Sequence, residues 1–175
     1  MLNPRAGNIN DSEFISACLL SGARKGLFAV DVDRPECVRL MQDEVRSILS
    51  RNRAAAGVPA QTLVYSEKGE TVGFVIVVSR SKTDMELELY AIAVAHRHRG
   101  MGFGARMLDD VLTNFDYMRF YARCSGNSVI MRRMLQKRAF SQIDTNELGY
   151  SIMVRDRLIT PPGYYSGGNV SRVAG

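Results

Sequence analysis

The segment Arg99-Gly100-Met101-Gly102-Phe103-Gly104 joins a strand-like pattern to a helix-like one, and its glycines can do chemistry through the backbone. Residues 85–94, ahead of it, alternate polar and apolar at first and then turn apolar. Behind it, Phe103, Met107, Val111 and Phe115 recur every four residues, with Leu108 and Leu112 alongside. A glycine-rich turn at a helix start leaves N–H groups unpaired and admits a ligand close to them. The helix dipole adds positive potential at the same place. Such a turn is a cradle for a pyrophosphate. A second group able to do chemistry is Glu88, with Glu86 and Tyr90 on the same face by strand alternation. Two carboxylates at this spacing disfavour each other's charge, which suits one of them to accept a proton near neutral pH. The plainer alternative, a half-exposed strand facing solvent, stays open for both.

Three kinds of phosphate loop compete for this turn. A P-loop is excluded, because no Gly-Lys-Ser/Thr follows the glycines. Gly100, Gly102 and Ala105 satisfy the dinucleotide pattern G-x-G-x-x-G/A, but the context differs. The polar run 95–99 separates turn from strand, and the next strand ends without an acid for a ribose. The third kind fits: Arg99-x-x-Gly102-x-Gly104 resembles the R/Q-x-x-G-x-G/A signature of the GNAT superfamily of acyl-coenzyme A N-acyltransferases. Residues 94–108 resemble that family's strand, loop and helix with no gap, and the resemblance is strong over 61–154.

The resemblance implies an α/β (α+β) fold, a mostly antiparallel mixed sheet with a splayed strand pair, flanked by helices. It implies acetyl-coenzyme A as co-substrate, its pyrophosphate held by Arg99, Gly100, Met101, Gly102, Phe103, Gly104 and Ala105. The amides of Ile92 and Val94 would face the pantetheine arm and the acyl carbonyl, and such an arm can pair with a strand edge like an added strand. Residues 127–140 resemble the second motif, Asn127 followed by a helix ending in K-x-G-F, here with Ala139 in place of the glycine. Asn127 is carried over as a cofactor-binding residue. Glu88 stands eleven residues before Arg99, the spacing of the general-base glutamate in the family's histone acetyltransferases. The tyrosine that often serves as acid has no counterpart, because Leu135 holds its position and Met134 precedes it.

The elements around these residues fit one enzyme-sized domain over 1–159, with a glycine- and proline-rich tail, expected to be mobile, over 160–175. A chain of 175 residues with 46% apolar content can bury one sizeable core. No run reaches the length of a membrane span, and the first residues lack a signal-peptide core. Cys18, Cys37 and Cys124 are odd in number and contain no C-x-x-C, which points to reduced thiols in a cytoplasmic setting. His96 and His98 read as a solvated or phosphate-facing pair, and no metal is expected. Helices are expected over 11–21 and from a capping box at Asp33-x-x-Glu36, with Pro35 in the first turn. Strands are expected over 61–66 and 71–78, joined by a hairpin turn, then over 85–94 and 117–123. A turn over 79–84 leads into the third of these. A helix to Arg138 and a last hairpin, 140–143 with 150–154, complete the order.

The net charge of +5, and Arg132, Arg133, Lys137 and Arg138 on one helix without an acid, leave two readings. One is a footprint for an acidic partner such as tRNA or the 3′-phosphate of coenzyme A. The other, a solvated face, is favoured, since no aromatic residues interleave to stack bases. The expected activity is transfer of an acetyl group from acetyl-coenzyme A to a primary amine of a protein or small molecule. A toxin-like acetyltransferase of aminoacyl-tRNA and a weakly catalytic coenzyme-binding module are the alternatives, and a homodimer is compatible with each.

Overall fold

A computed structural model describes residues 2–55, 57–80 and 85–158; residues 81–84 of the expected 79–84 turn and the expected tail lie outside them. Among the described residues, seven strands form one sheet in the order β1-β2-β3-β4-β5-β7-β6. They are β1 (Asn3–Ala6), β2 (Ala60–Glu67), β3 (Glu70–Ser79), β4 (Glu86–Val94), β5 (Arg119–Cys124), β6 (Ser141–Thr145) and β7 (Ser151–Arg155). Every neighbouring pair is antiparallel except β4 with β5. Four α-helices among the described residues flank the sheet: α1 (Ser12–Ala23), α2 (Pro35–Arg51), α3 (Phe103–Asn114) and α4 (Val129–Gln136). Among the described residues, no helix is long and apolar enough to cross a membrane.

Two cores sit on the two faces. Ile15 and Leu19 of α1, with Val45, Ile48 and Leu49 of α2, pack on Val64, Phe74, Ile76 and Val78. On the other face Phe103, Met107, Leu108, Val111 and Leu112 of α3, as the four-residue spacing requires, pack on Tyr65, Val75, Leu87 and Phe120. Central β3 is buried on both sides, which is why its run Phe74-Val75-Ile76-Val77-Val78 shows no alternation.

One local expectation is corrected, and one strand had no counterpart in the expected elements. The capping box at Asp33 does not form: Arg34 is the N-cap of α2 and no side chain caps it. Glu36 instead takes a hydrogen bond from Arg34 Nε (2.9 Å), and Pro35 at the first helical position has no N–H to satisfy. The strand β1 gave no sequence signal, because four exposed residues containing a proline carry no alternation.

Asp11 ties β1 to the start of α1. Its carboxylate receives both terminal nitrogens of Arg5 (2.8 and 2.6 Å) and the Asn8 N–H (2.8 Å). The Arg5 hydrogen bonds hold the Asp11 carboxyl below its usual range, against the opposing effect of burial. A lowered folded-state value stabilises the fold above the unfolded carboxylate range, and that contribution is lost as pH falls through the folded value. Asp11→Asn is expected to cost about 1–3 kcal/mol at neutral pH. Denaturant melts across pH should show a smaller acid-side loss in the variant; equal losses would refute the linkage.

Candidate active site

The β4–β5 pairing covers only Glu86–Glu88 against Arg119–Tyr121. Beyond Glu88, β4 continues on β3 while β5 continues on β7, so the two parallel strands separate and leave a wedge. A β-bulge contributes: Ile76 faces Ala91 and Val77 faces Leu89, which leaves Tyr90 as the extra residue. The bulge also switches faces. Leu87 and Leu89 belong to the α3 core, yet after Tyr90 it is Ile92 and Val94 that pack there, and Ala91 and Ala93 turn to the α1–α2 core. Ala95 N–H donates to Val72 O (2.9 Å), toward β3. Because successive N–H groups alternate between strand edges, those of Val94 and Ile92 point the other way, into the wedge.

Past the end of β4 the chain makes a 3-10 turn at His96–His98 and reaches the glycines. Gly100 and Gly102 have φ of +80° and +78°, the left-handed region where only glycine is unstrained. Gly102 is the N-cap of α3 and no side chain caps this helix, so its first N–H groups remain available as donors. A Cβ added at Gly102 would meet open space. One at Gly104 would lie 3.5 Å from Val94 Cγ2 and 3.9 Å from Met134 Cε, on the packing side of the turn. Arg99 turns back to donate to Val94 O (3.0 Å) at the open edge. Met101 is largely exposed and Phe103 is buried, with the His98 ring edge-on to it at 5.9 Å. The sequence-predicted turn residues thus gather at the open end of the wedge, with Ile92 and Val94 along its side. Asn127 sits at the β5–α4 corner, where its amide donates to Lys25 O (3.3 Å) and anchors the loop between α1 and α2.

A cleft of about 200 Å³ opens on the α1–α2 face beside the bulge, lined among others by Leu19, Phe28, Met41, Glu88, Tyr90 and Arg123. Glu88 accepts a hydrogen bond from Arg123 Nε at 2.6 Å, with its side chain 15% exposed. Glu86 does not line this cleft. It accepts from Tyr121 Oη (3.1 Å) and lies by Arg119 (3.5 Å) and Arg80 (3.8 Å). The two carboxylates therefore do not act as an isolated pair, because Glu88 faces Arg123 while Glu86 faces Arg80 and Arg119. A larger hollow of about 410 Å³ lies against Gly7, Thr62, Leu87 and Phe115, and neither the glycine turn nor Glu88 lines it.

Sequence reasoning missed Arg123, and also Asn146, Leu148 and Tyr150 of the β6–β7 turn, which close the far side of the cleft. No spacing rule brings Arg123 to Glu88, since the parallel register that pairs Glu88 with Tyr121 joins segments far apart in the chain. Leu135 is wholly buried in the α3 core and offers no proton. Four side chains near the turn carry a hydroxyl or thiol that could donate a proton, Tyr90, Tyr121, Cys124 and Ser128; burial pushes the Cys124 thiol up to about 11, and Tyr90 is pushed up chiefly by burial and next by Glu44. Tyr121 is raised by burial and by its bond to Glu86, while Ser128 shares a hydrogen bond with Ser125 (2.9 Å).

The basic face of α4 is partly spent on structure. Arg138 grips Asp109 with two nitrogens (2.5 and 2.8 Å) and also donates to Met134 O and Ala105 O, while Arg132 donates to Ser125 O and Gly126 O. The other two cations of this stretch, Arg133 and Lys137, are exposed.

A model of the acetyltransferase (GNAT) family matches residues 30–140. No functionally curated protein matches the sequence. The fold is similar to that of PaiA N-acetyltransferase from Thermoplasma acidophilum, solved with coenzyme A (TM-score 0.69, 12% identity, 89% of this chain and 99% of that one). It is similar to an acetyltransferase from Thermus thermophilus (TM-score 0.68, 16% identity, 89% and 96%). The ribosomal-protein-S18-alanine N-acetyltransferase of Escherichia coli is another neighbour (TM-score 0.65, 12% identity, 94% and 99%).

Proposed function

Since this chain belongs to the GNAT family of acetyltransferases, we propose that it moves an acetyl group from acetyl-coenzyme A to a primary amine by direct transfer. The observation that carries this reading is the meeting of three features: a β4 edge open beyond Glu88, an uncapped α3 N-terminus beside it, and a carboxylate in the adjoining cleft. The uncapped N–H groups of the turn, with the helix dipole behind them, suit a pyrophosphate, and the Ile92 and Val94 amides suit the amides and acyl oxygen of the arm. When bound, acetyl-coenzyme A supplies the thioester whose C–S bond breaks as the amine lone pair forms the new C–N bond. Glu88 takes the proton that the amine must lose, and Arg123 keeps that carboxylate aimed into the cleft. The balance is acetyl-coenzyme A plus an ammonium ion giving an acetamide, coenzyme A thiol and a proton. Calorimetry with acetyl-coenzyme A, followed by thiol release in the presence of amines, tests it; a folded protein that binds no acetyl-coenzyme A would refute it.

The departing thiolate needs no single protein acid. A thiol is acidic enough to leave as thiolate near neutral pH, and Leu135 is sealed in the core. Tyr90→Phe, Tyr121→Phe, Cys124→Ala and Ser128→Ala are each expected to lower turnover by less than ~10²-fold, short of the upper range for a lost general acid. A loss of ~10³-fold in one of them, with cofactor binding intact, would identify that residue as the acid.

A further inference from the structure

We infer that the acceptor is a free amino acid with an apolar side chain, its amine met by Glu88 and its carboxylate by Arg123; this rests on the acetyltransferase reading above. The cleft wall carries one charge of each sign. Glu88 and Arg123 are joined through Oε1 and Nε alone. Among the described residues, Glu88 Oε2 accepts no hydrogen bond, and neither terminal nitrogen of Arg123 donates one. The pair thus keeps an anionic oxygen and two cationic nitrogens uncommitted in one cleft. The ammonium and carboxylate of an amino acid are separated by a single carbon, so neighbouring side chains of opposite sign can meet both, the guanidinium by a two-point hold. A polyamine would set a second cation against Arg123, and a simple alkylamine would leave the guanidinium unmet.

The remaining wall takes the side chain. Leu19, Phe28, Met41, Ala91 and Leu148 line it, and a volume near 200 Å³ suits a compact apolar group rather than a folded surface. Leu148 is 79% exposed at the turn between β6 and β7, an apolar residue that gains cover when a ligand fills the cleft.

The test compares L-leucine, L-leucinamide, 3-methylbutylamine and spermidine as acceptors, by initial rates of thiol release from acetyl-coenzyme A, with cofactor affinity measured separately by calorimetry. Leucine is expected to exceed both carboxylate-free analogues in kcat/KM by about 10- to 100-fold, the value of a charge-assisted hydrogen bond lost. Leucinamide has the more easily deprotonated amine, so intrinsic reactivity runs against this order. Arg123→Gln should erase the preference; the ratio of leucine to 3-methylbutylamine is the readout, because the change also frees Glu88. Equal or faster reaction of the amide, the alkylamine or spermidine would overturn the assignment. So would a panel without any active acceptor in a protein that binds acetyl-coenzyme A, with the cofactor assignment left standing. Absence of cofactor binding would remove both readings together.

Discussion

Glu88→Gln is expected to lower turnover by ~10²–10⁴-fold while leaving acetyl-coenzyme A affinity nearly unchanged. Glutamine has the volume of glutamate, and its carbonyl oxygen can still accept from Arg123 Nε, so the 2.6 Å contact has a replacement. What it loses is the ability to take a proton from the amine. The wedge proposed for the cofactor begins beyond Glu88, where β4 and β5 part, and this is why binding and turnover should separate. Glu88→Asp makes the comparison sharper, since it keeps the carboxylate but draws it back from the cleft, and an intermediate loss is expected. Steady-state rates at saturating cofactor, paired with calorimetric affinity, check the result. A loss below tenfold for Glu88→Gln would assign proton removal to solvent or to the amine itself.

Gly102→Asp should weaken acetyl-coenzyme A binding by at least ~10²-fold. Like charges a few Å apart in a partly shielded site repel by roughly 4 kcal/mol, which is enough for that loss. The variant should still fold. Position 102 is the N-cap of α3, where a negative charge meets the positive end of the helix dipole, and its Cβ would meet open space. The strain of φ +78° is controlled by Gly102→Asn, because asparagine tolerates the left-handed region and carries no charge. The asparagine variant is expected to bind more tightly than the aspartate one. Unchanged affinity in a folded Gly102→Asp protein would remove the turn from the cofactor site.

Much of the architecture was legible because it rests on local periodicity. The four-residue recurrence from Phe103 to Val111 marks the buried face of α3, and the hairpin of β2 and β3 follows from two apolar runs around a short polar turn. Two signals misled. Asp33 has the spacing of a capping box, yet Arg34 occupies the N-cap and engages Glu36. The four cations from Arg132 to Arg138 form a solvated face only in part: Arg133 and Lys137 are exposed, while Arg132 and Arg138 are held by carbonyl and carboxylate partners. In both cases the side chain's nearest partner decided its role, and composition does not report partners.

By itself, the sequence determined most of the elements, the family resemblance and the place of the glycine turn between β4 and α3, because glycine spacing and helix periodicity act through neighbours along the chain. Only the tertiary structure decided which edge of β4 is open and what Glu88 touches. The bulge at Tyr90 reverses which side chains face which core, and strand alternation alone would carry Ala91 to the wrong side. The parallel register of β4 on β5 brings Arg123 to Glu88 across 35 residues of chain. Loops from the two ends of the chain, Leu27 to Val30 and Asn146 to Tyr150, then close one cleft around them. Contacts of that range follow from how the sheet twists and packs between its two helical layers, and no local pattern encodes them.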